Sequence, residues 1–146
     1  MKILDFFRKQ QKLRIDLVKN INKLMKLKQR YNLPIDVRLK KITEKQGMNI
    51  FLVDGNKIRK AIDIDFTMGG HGLRYVYIPI DEIWIDSSNE NEKEELILHE
   101  IFEFNLMKQG MSYDNAHVEA SLAEIELRNS KTLSVEQKSL VKVGSH

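Results

Sequence analysis

The stretch Glu94–Lys108, E-E-L-I-L-H-E-I-F-E-F-N-L-M-K, decides how this chain is read. Leu96, Ile97, Leu98, Ile101, Phe102, Phe104, Leu106 and Met107 cover more than one face of a 3.6-residue helix, so most of that helix is expected to be buried. Into this apolar surround the sequence sets His99, Glu100 and Glu103. A carboxylate buried without a partner is costly or takes up a proton. His99 and Glu103 are four apart and share a helix face, so a divalent cation held between them removes that cost.

Working outward, Ser87-Ser88-Asn89 offers a helix cap, followed by Glu90, Glu92, Glu94 and Glu95, whose charges suit a helix N-terminus. The helix is expected to end near Gln109 at Gly110, and Ser112 to cap the next helix, Tyr113–Arg128. Glu103 lies seven residues before Gly110 and His117 seven after it. Two helices folding back at Gly110 place both at one level, roughly 10 Å from the turn at about 1.5 Å per residue. The result is a His-Glu-His set of the ligand types used by many catalytic zinc sites, with a fourth position for water. It has the spacing of an H-E-x-x-H helix, with Glu103 in the place of the second histidine. Zn2+ there would acidify water and polarise a carbonyl, and Glu100 would carry a proton from the water to a leaving amine. The strand Ile80–Asp86 would then offer an edge for an extended peptide. Plainer accounts exist for each residue: a core histidine at 99, solvated charges at 100 and 103, and a surface cap at 117.

N-terminal to this hairpin, residues 3–30 carry Ile3, Phe6, Phe7, Leu13, Leu17, Ile21, Leu24 and Met25 at helical spacing among Lys and Arg. Tyr31-Asn32-Leu33-Pro34 ends that helix. It reads as a helix packed on the core with a solvated basic face; partner binding, coiled-coil assembly and membrane-surface binding are the alternatives. From Ile35 the period becomes two. Asn49–Val53 and Lys57–Phe66 flank Asp54-Gly55-Asn56, which signals a hairpin. Met68-Gly69-Gly70-His71-Gly72 reads as a loop using the dihedral freedom of glycine, and Leu73–Ile78 and Glu82–Asp86 as strands separated by Pro79. Asp63 and Asp65 alternate with Ile62 and Ile64 as an ordinary polar strand face. The fold class is α+β: an N-terminal helix (1–31), a small antiparallel or mixed sheet (35–86) and a helical hairpin (90–128) in one domain spanning 1–128. A polar tail, 129–146, is expected to hold one short helix around Val135–Val141.

Strand Tyr77–Asp86, the acidic connection and the His99-Glu100-x-x-Glu103 helix resemble the active-site strand and helix of zincin metallopeptidases. The longer stretch L-H-E-I-F-E-F-N-L-M-K-Q-G-M-S-Y-D-N-A-H-V-E-A resembles uncharacterised zincin-like proteins of phages and archaeal viruses. The resemblance covers roughly residues 75–128. It implies His99, Glu103 and His117 as ligands and Glu100 as base. Glu103 departs from the usual second histidine, and a carboxylate there also suits harder metals than zinc.

Four further side chains are candidates for substrate contacts or for supporting the ligands. His71 is either an exposed loop histidine or a group that orients substrate. Tyr113 either packs or donates to a tetrahedral intermediate. Asp114 favours the helix dipole or bonds a ligand histidine, and Glu124, two turns beyond His117 on one face, is either solvated or a partner of a ligand.

Composition bounds the rest. The chain has 146 residues and no cysteine, which excludes a disulfide scaffold, a thiolate zinc site and a cysteine nucleophile. No run of about 18 apolar residues occurs, and Met1–Phe7 is too short and charged for a signal peptide, so a cytoplasmic protein without a membrane partner is expected. The net charge of +3 hides a strong polarity. Residues 1–45 carry 14 Lys/Arg against 4 Asp/Glu, and residues 81–128 carry 3 against 13. Attraction between these halves, within the fold or between subunits, is preferred over a nucleic-acid surface built from Lys9, Lys12, Lys19, Lys23, Lys26 and Lys28. The functional expectation is a metal-dependent hydrolase of peptide bonds. The alternative is a non-catalytic, metal-stabilised binding or assembly module of a virus or mobile element.

Overall fold

The structure, a computed structural model, describes residues 2–144, with side chains described through residue 136. Its elements run α1 (Lys2–Arg30), β1 (Arg38–Lys45), β2 (Met48–Val53), α2 (Gly55–Ala61), β3 (Gly69–His71), β4 (Glu82–Asp86), α3 (Lys93–Lys108) and α4 (Tyr113–Gly144). A 3-10 turn, Ser87–Glu92, joins β4 to α3. The class is α+β, with a mixed sheet ordered β1-β2-β4-β3. β1 and β2 are antiparallel, β2 and β4 parallel, and β4 and β3 antiparallel.

The two inner strands, β2 and β4, alternate apolar residues between both faces, because both faces are covered. Ile50, Leu52, Ile83 and Ile85 meet Leu96, Ile97, Ile101 and Phe104 of α3. On the opposite face Val53 and Trp84 meet Val37, Ile58, Phe66, Tyr77 and Ile78. Trp84 is wholly buried, and its indole nitrogen sits 3.4 Å from Glu82 Oε1. Arg38 clamps the same carboxylate from β1 at 2.5 and 2.7 Å. This bidentate pair ties the edge strand to the sheet centre.

Several local expectations give way here. The hairpin turn is Gln46-Gly47, whose φ angles of 51° and 76° are the left-handed pair that a two-residue turn needs. Asp54-Gly55 instead starts a helix: Asp54 accepts from the Lys57 amide at 3.1 Å, and a Cβ on residue 55 would overlap the Asp86 carboxylate. The expected return strand Lys57–Phe66 is therefore α2 and a turn. Leu73–Ile78 is not a strand either; Arg74 and Tyr75 amides turn back onto the His71 carbonyl. Its aromatic residues are used for packing, Tyr75 and Tyr77 lying with Phe66 in ring contacts of 5.9 and 6.5 Å. β4 is central, paired on both sides, so the expected peptide edge along Ile80–Asp86 does not exist. The edge beside α3 is β3.

The long terminal helices also differ from expectation. α4 runs unbroken through Gly144 where a polar tail beyond Arg128 was expected. No glycine or proline interrupts residues 129–143. Arg128 bonds Glu92 and Glu124 at 3.0 Å, and Lys131 bonds Glu95 at 2.7 Å, holding α4 beside the start of α3. In α1, Leu17, Ile21, Leu24 and Met25 are half-buried, while Ile3, Leu4, Phe6, Phe7 and Leu13 are exposed. The packing expected of the whole helix is thus confined to its second half. Lys28 anchors that end, donating to the carbonyls of Tyr75 at 2.9 Å, Val76 at 3.3 Å and Ile78. Burial pulls its ammonium down to about 8. Among the described residues no basic side chain of α1 forms an ion pair with residues 81–128, so the charge polarity is not neutralised that way within the chain. No helix of the described residues is long and apolar enough to cross a membrane.

Candidate metal centre

The α3–α4 hairpin forms as the sequence spacing requires. Gly110 adopts φ 106°, the left-handed region that ends a helix, and the Ser112 hydroxyl accepts from the Asn115 amide at 3.3 Å. Ala116 and Ala120 are wholly buried, small enough to let α4 lie close against α3. That approach brings His117 to the level of Glu103. His117 Nδ1 is 2.9 Å from Glu103 Oε2, His99 Nε2 is 3.1 Å from the same oxygen, and the two nitrogens are 3.3 Å apart.

As hydrogen bonds, these three contacts conflict. If both nitrogens carry protons for Glu103 Oε2, two N–H groups face each other at 3.3 Å; if one does not, its bond to the carboxylate is lost. As metal donors they are consistent. Around a tetrahedral ion with bonds of about 2.0–2.1 Å, donor atoms stand about 3.3–3.4 Å apart. The three separations fall close to that triangle. His99 and Glu103 are buried, whereas the His117 side chain is 47% exposed, so the cluster opens on one side. It opens into a cavity of about 230 Å³ between α3, α4 and the β3 edge, floored by Thr67, Met68 and Gly69.

The far nitrogen of His99 points to a further partner. Nδ1 is buried and makes no hydrogen bond, although Glu124 Oε1 lies 3.0 Å away, off the bonding direction. A small rotation would complete a carboxylate–histidine pair of the kind that orients metal-binding imidazoles. Glu124 is itself held by Arg128 at 3.0 Å.

His71 is not an exposed loop residue. It lies on β3, wholly buried, with its ring edge-on to Phe104 at 5.6 Å. The surrounding glycines serve close approach rather than unusual dihedrals. A Cβ at Gly70 would strike the Tyr75 ring at 2.6 Å, and one at Gly69 would press on the Trp84 carbonyl at 2.9 Å. The residue with φ in the left-handed region is Met68, at 61°. His71 Nδ1 accepts from the Leu73 amide at 3.2 Å, which places the ring proton on Nε2, and Nε2 donates to Glu103 Oε1 at 2.8 Å. His71, Glu100 and Glu103 also lie close enough to form a second donor set. The Leu73 bond argues against it, because it consumes the lone pair of His71 and leaves Nε2 with a proton.

Electrostatics sort the carboxylates. Burial works to raise Glu103, but hydrogen bonds from His71, His99 and His117 outweigh it and hold the carboxyl far below its ordinary range. Burial opposes a charge on His99, yet Glu103, Glu100 and Glu124 together raise it. Glu100, one residue from His99 and without a hydrogen-bond partner among the described side chains, is pushed up to about 8 by burial and by the charge on Glu103. Two neighbouring carboxyls are thus shifted in opposite directions.

Of the remaining sequence candidates, Tyr113 lines the cavity, its ring 5.4 Å from that of His117 and tilted by 31°. Asp114 does not join the site; it is exposed in the first turn of α4, where its charge faces the helix N-terminus. Sequence reasoning missed Arg74, which also lines the cavity. Its only local signal is a position three residues past His71, and nothing in the pattern ties residue 74 to residue 113. No protein-family model, curated protein or solved structure significantly matches this chain.

Proposed function

We propose that this chain is a metal-dependent hydrolase of peptide bonds, in which His99, Glu103 and His117 hold one divalent cation and Glu100 is the general base. The observation that carries this reading is the convergence of three donor atoms within 3.3 Å of one another beside a buried, unbonded carboxyl, on an open cavity. The donor set of two imidazoles and one carboxylate favours zinc. A bound cation would supply Lewis acidity toward a carbonyl oxygen and acidify a water at its free position.

The protein's own groups have the following parts. Glu103 would hold the cation through Oε2, since His71 occupies Oε1. Glu124 is placed to hold the His99 ring by its far nitrogen. Glu100 would act as its carboxylate, the form that a neighbouring cation favours against the upward push of burial, taking a proton from the attacking water and returning it to the leaving amine. Thr67, Met68, Gly69 and Tyr113 line the space in which a peptide would lie.

A second reading rests on α1, whose basic side chains find no carboxylate of residues 81–128 and whose first half is exposed. In that reading the metal braces a binding module that contacts nucleic acid. Elemental analysis of untagged protein separates the two in combination with Glu100→Gln. The hydrolase reading expects about one zinc per chain, lower content in His99→Ala and His117→Ala, and a Glu100→Gln variant that keeps its metal and loses turnover on peptide libraries. Metal content unchanged in both histidine variants would overturn the centre. Metal present with no turnover, and Glu100→Gln indistinguishable from the parent, would leave the binding module.

A further inference from the structure

The cavity beside His117 has one arginine among its lining residues, exposed to solvent. Arg74 lines the cavity together with Glu100, Glu103 and Glu124, yet among the described residues it forms no ion pair. Its guanidinium instead lies over aromatic surface: Cζ is 3.9 Å from the centre of the Tyr113 ring and 5.8 Å from that of Tyr75. Tyr113 stacks in turn toward His117, so a run of three planar groups leads from the proposed metal ligand to the guanidinium.

That arrangement has a chemical consequence. A guanidinium carries five N–H donors, so a bond to the Tyr113 hydroxyl leaves others free to donate. A planar fork of donors beside a ring matches the two oxygens of a carboxylate. A cation kept away from three nearby carboxylates and displayed at a cavity wall is placed for an anion that arrives from solution. The separation from the imidazole of His117 is at most the two ring distances taken together, which is less than the span of about three extended residues.

We propose that Arg74, steadied on Tyr113, is a specificity residue of this site and selects substrates with a carboxylate within one or two residues of the bond cleaved. This deepens the hydrolase reading and rests on it. The carboxylate can be a chain terminus or an acidic side chain, and the test separates the two.

Calorimetric titration of the zinc-loaded protein with matched hydroxamates provides the test. Three probes share one metal-binding hydroxamate: a succinyl hydroxamate with a free terminal carboxylate, its methyl amide, and the same succinyl hydroxamate amide-linked to the nitrogen of aspartic acid α-amide, whose only carboxylate is on the side chain. The parent protein should bind at least one carboxylate probe about tenfold or more tighter than the neutral amide; whichever probe gains identifies the source of the charge. Arg74→Ala should erase that preference while leaving affinity for the neutral amide unchanged, and Arg74→Lys should restore only part of it. Tyr113→Phe, which keeps the ring, should retain the preference. Equal affinities of the parent for all three probes, or an undiminished preference in Arg74→Ala, would overturn the assignment; a loss of thermal stability in Arg74→Ala without loss of preference would show that the side chain only covers Tyr113. If the zinc-loaded protein binds none of the probes, the open metal position is wrong and this proposal falls with it. Failure to load zinc at all overturns the metal centre itself.

Discussion

Replacing Glu100 by glutamine should make the metal-free protein more stable at alkaline pH, and the size of the gain follows from its surroundings. Glu100 is 8% exposed, has no hydrogen-bond partner among the described side chains and sits beside the negative charge of Glu103. Those effects move its carboxyl from 4.5 to about 8. Between these values the folded chain holds a proton that the unfolded chain has released. The contribution of Glu100 is therefore fully present below pH 4.5, shrinks as pH rises, and is gone above about 8. At about 1.4 kcal/mol per unit, the full swing is at most about 5 kcal/mol. Glutamine has no proton to lose, so its stability lacks this component. Urea unfolding in the presence of a chelator at pH 5, 7 and 9 measures the difference. The advantage of Glu100→Gln over the parent should grow by several kcal/mol from pH 5 to pH 9, mostly below pH 8. Parallel stability profiles would refute the reasoning, since they would mean that Glu100 is solvated or partnered in the folded chain.

Other substitutions test neighbouring parts of the argument. His71→Ala should weaken zinc affinity about 10–100-fold while one ion per chain still binds at saturation, and His71→Gln, which can still donate to Glu103, should recover most of the loss; two ions in the parent and one in His71→Ala, by calorimetric stoichiometry, would instead make His71 a ligand. Removing residues 1–16, all exposed where described, should leave the unfolding temperature within a few degrees of the parent, as scanning calorimetry would show. Lys28→Met should cost about 1–3 kcal/mol in urea unfolding, because the carbonyls of Tyr75, Val76 and Ile78 lose a shared donor in a half-buried position. An unchanged midpoint would show that α1 is not anchored there.

The sequence by itself determined what depends on short spacing. His99 and Glu103 share a face because they are four apart, and Gly110 with Ser112 reverses the chain at a point that makes residues 103 and 117 level. A helix pitch and a turn glycine suffice to place those three side chains, with no knowledge of the sheet. The α+β class was legible for the same reason: the hydrophobic period changes from helical to alternating near Ile35 and back again after Asp86.

Tertiary structure decided everything that depends on which segments meet. Asp54-Gly55 suits a hairpin or a helix cap equally well by composition, and the proximity of Asp86 selected the cap. Leu73–Ile78 has strand-like residues, but β4 already has partners on both sides, so no ladder position beside β4 remains and its aromatic rings pack instead. The same central position removed the peptide edge from β4. His71 and Arg74 entered the site through contacts with Glu103 and Tyr113, 32 and 39 residues away in sequence. Local pattern carries no record of such partners, because a histidine between glycines and an arginine before a tyrosine look the same whether buried against a carboxylate, stacked on a ring or facing water. Burial and charge then set what these groups can do: only the packed structure makes Glu103 a strong acid and its neighbour Glu100 a weak one.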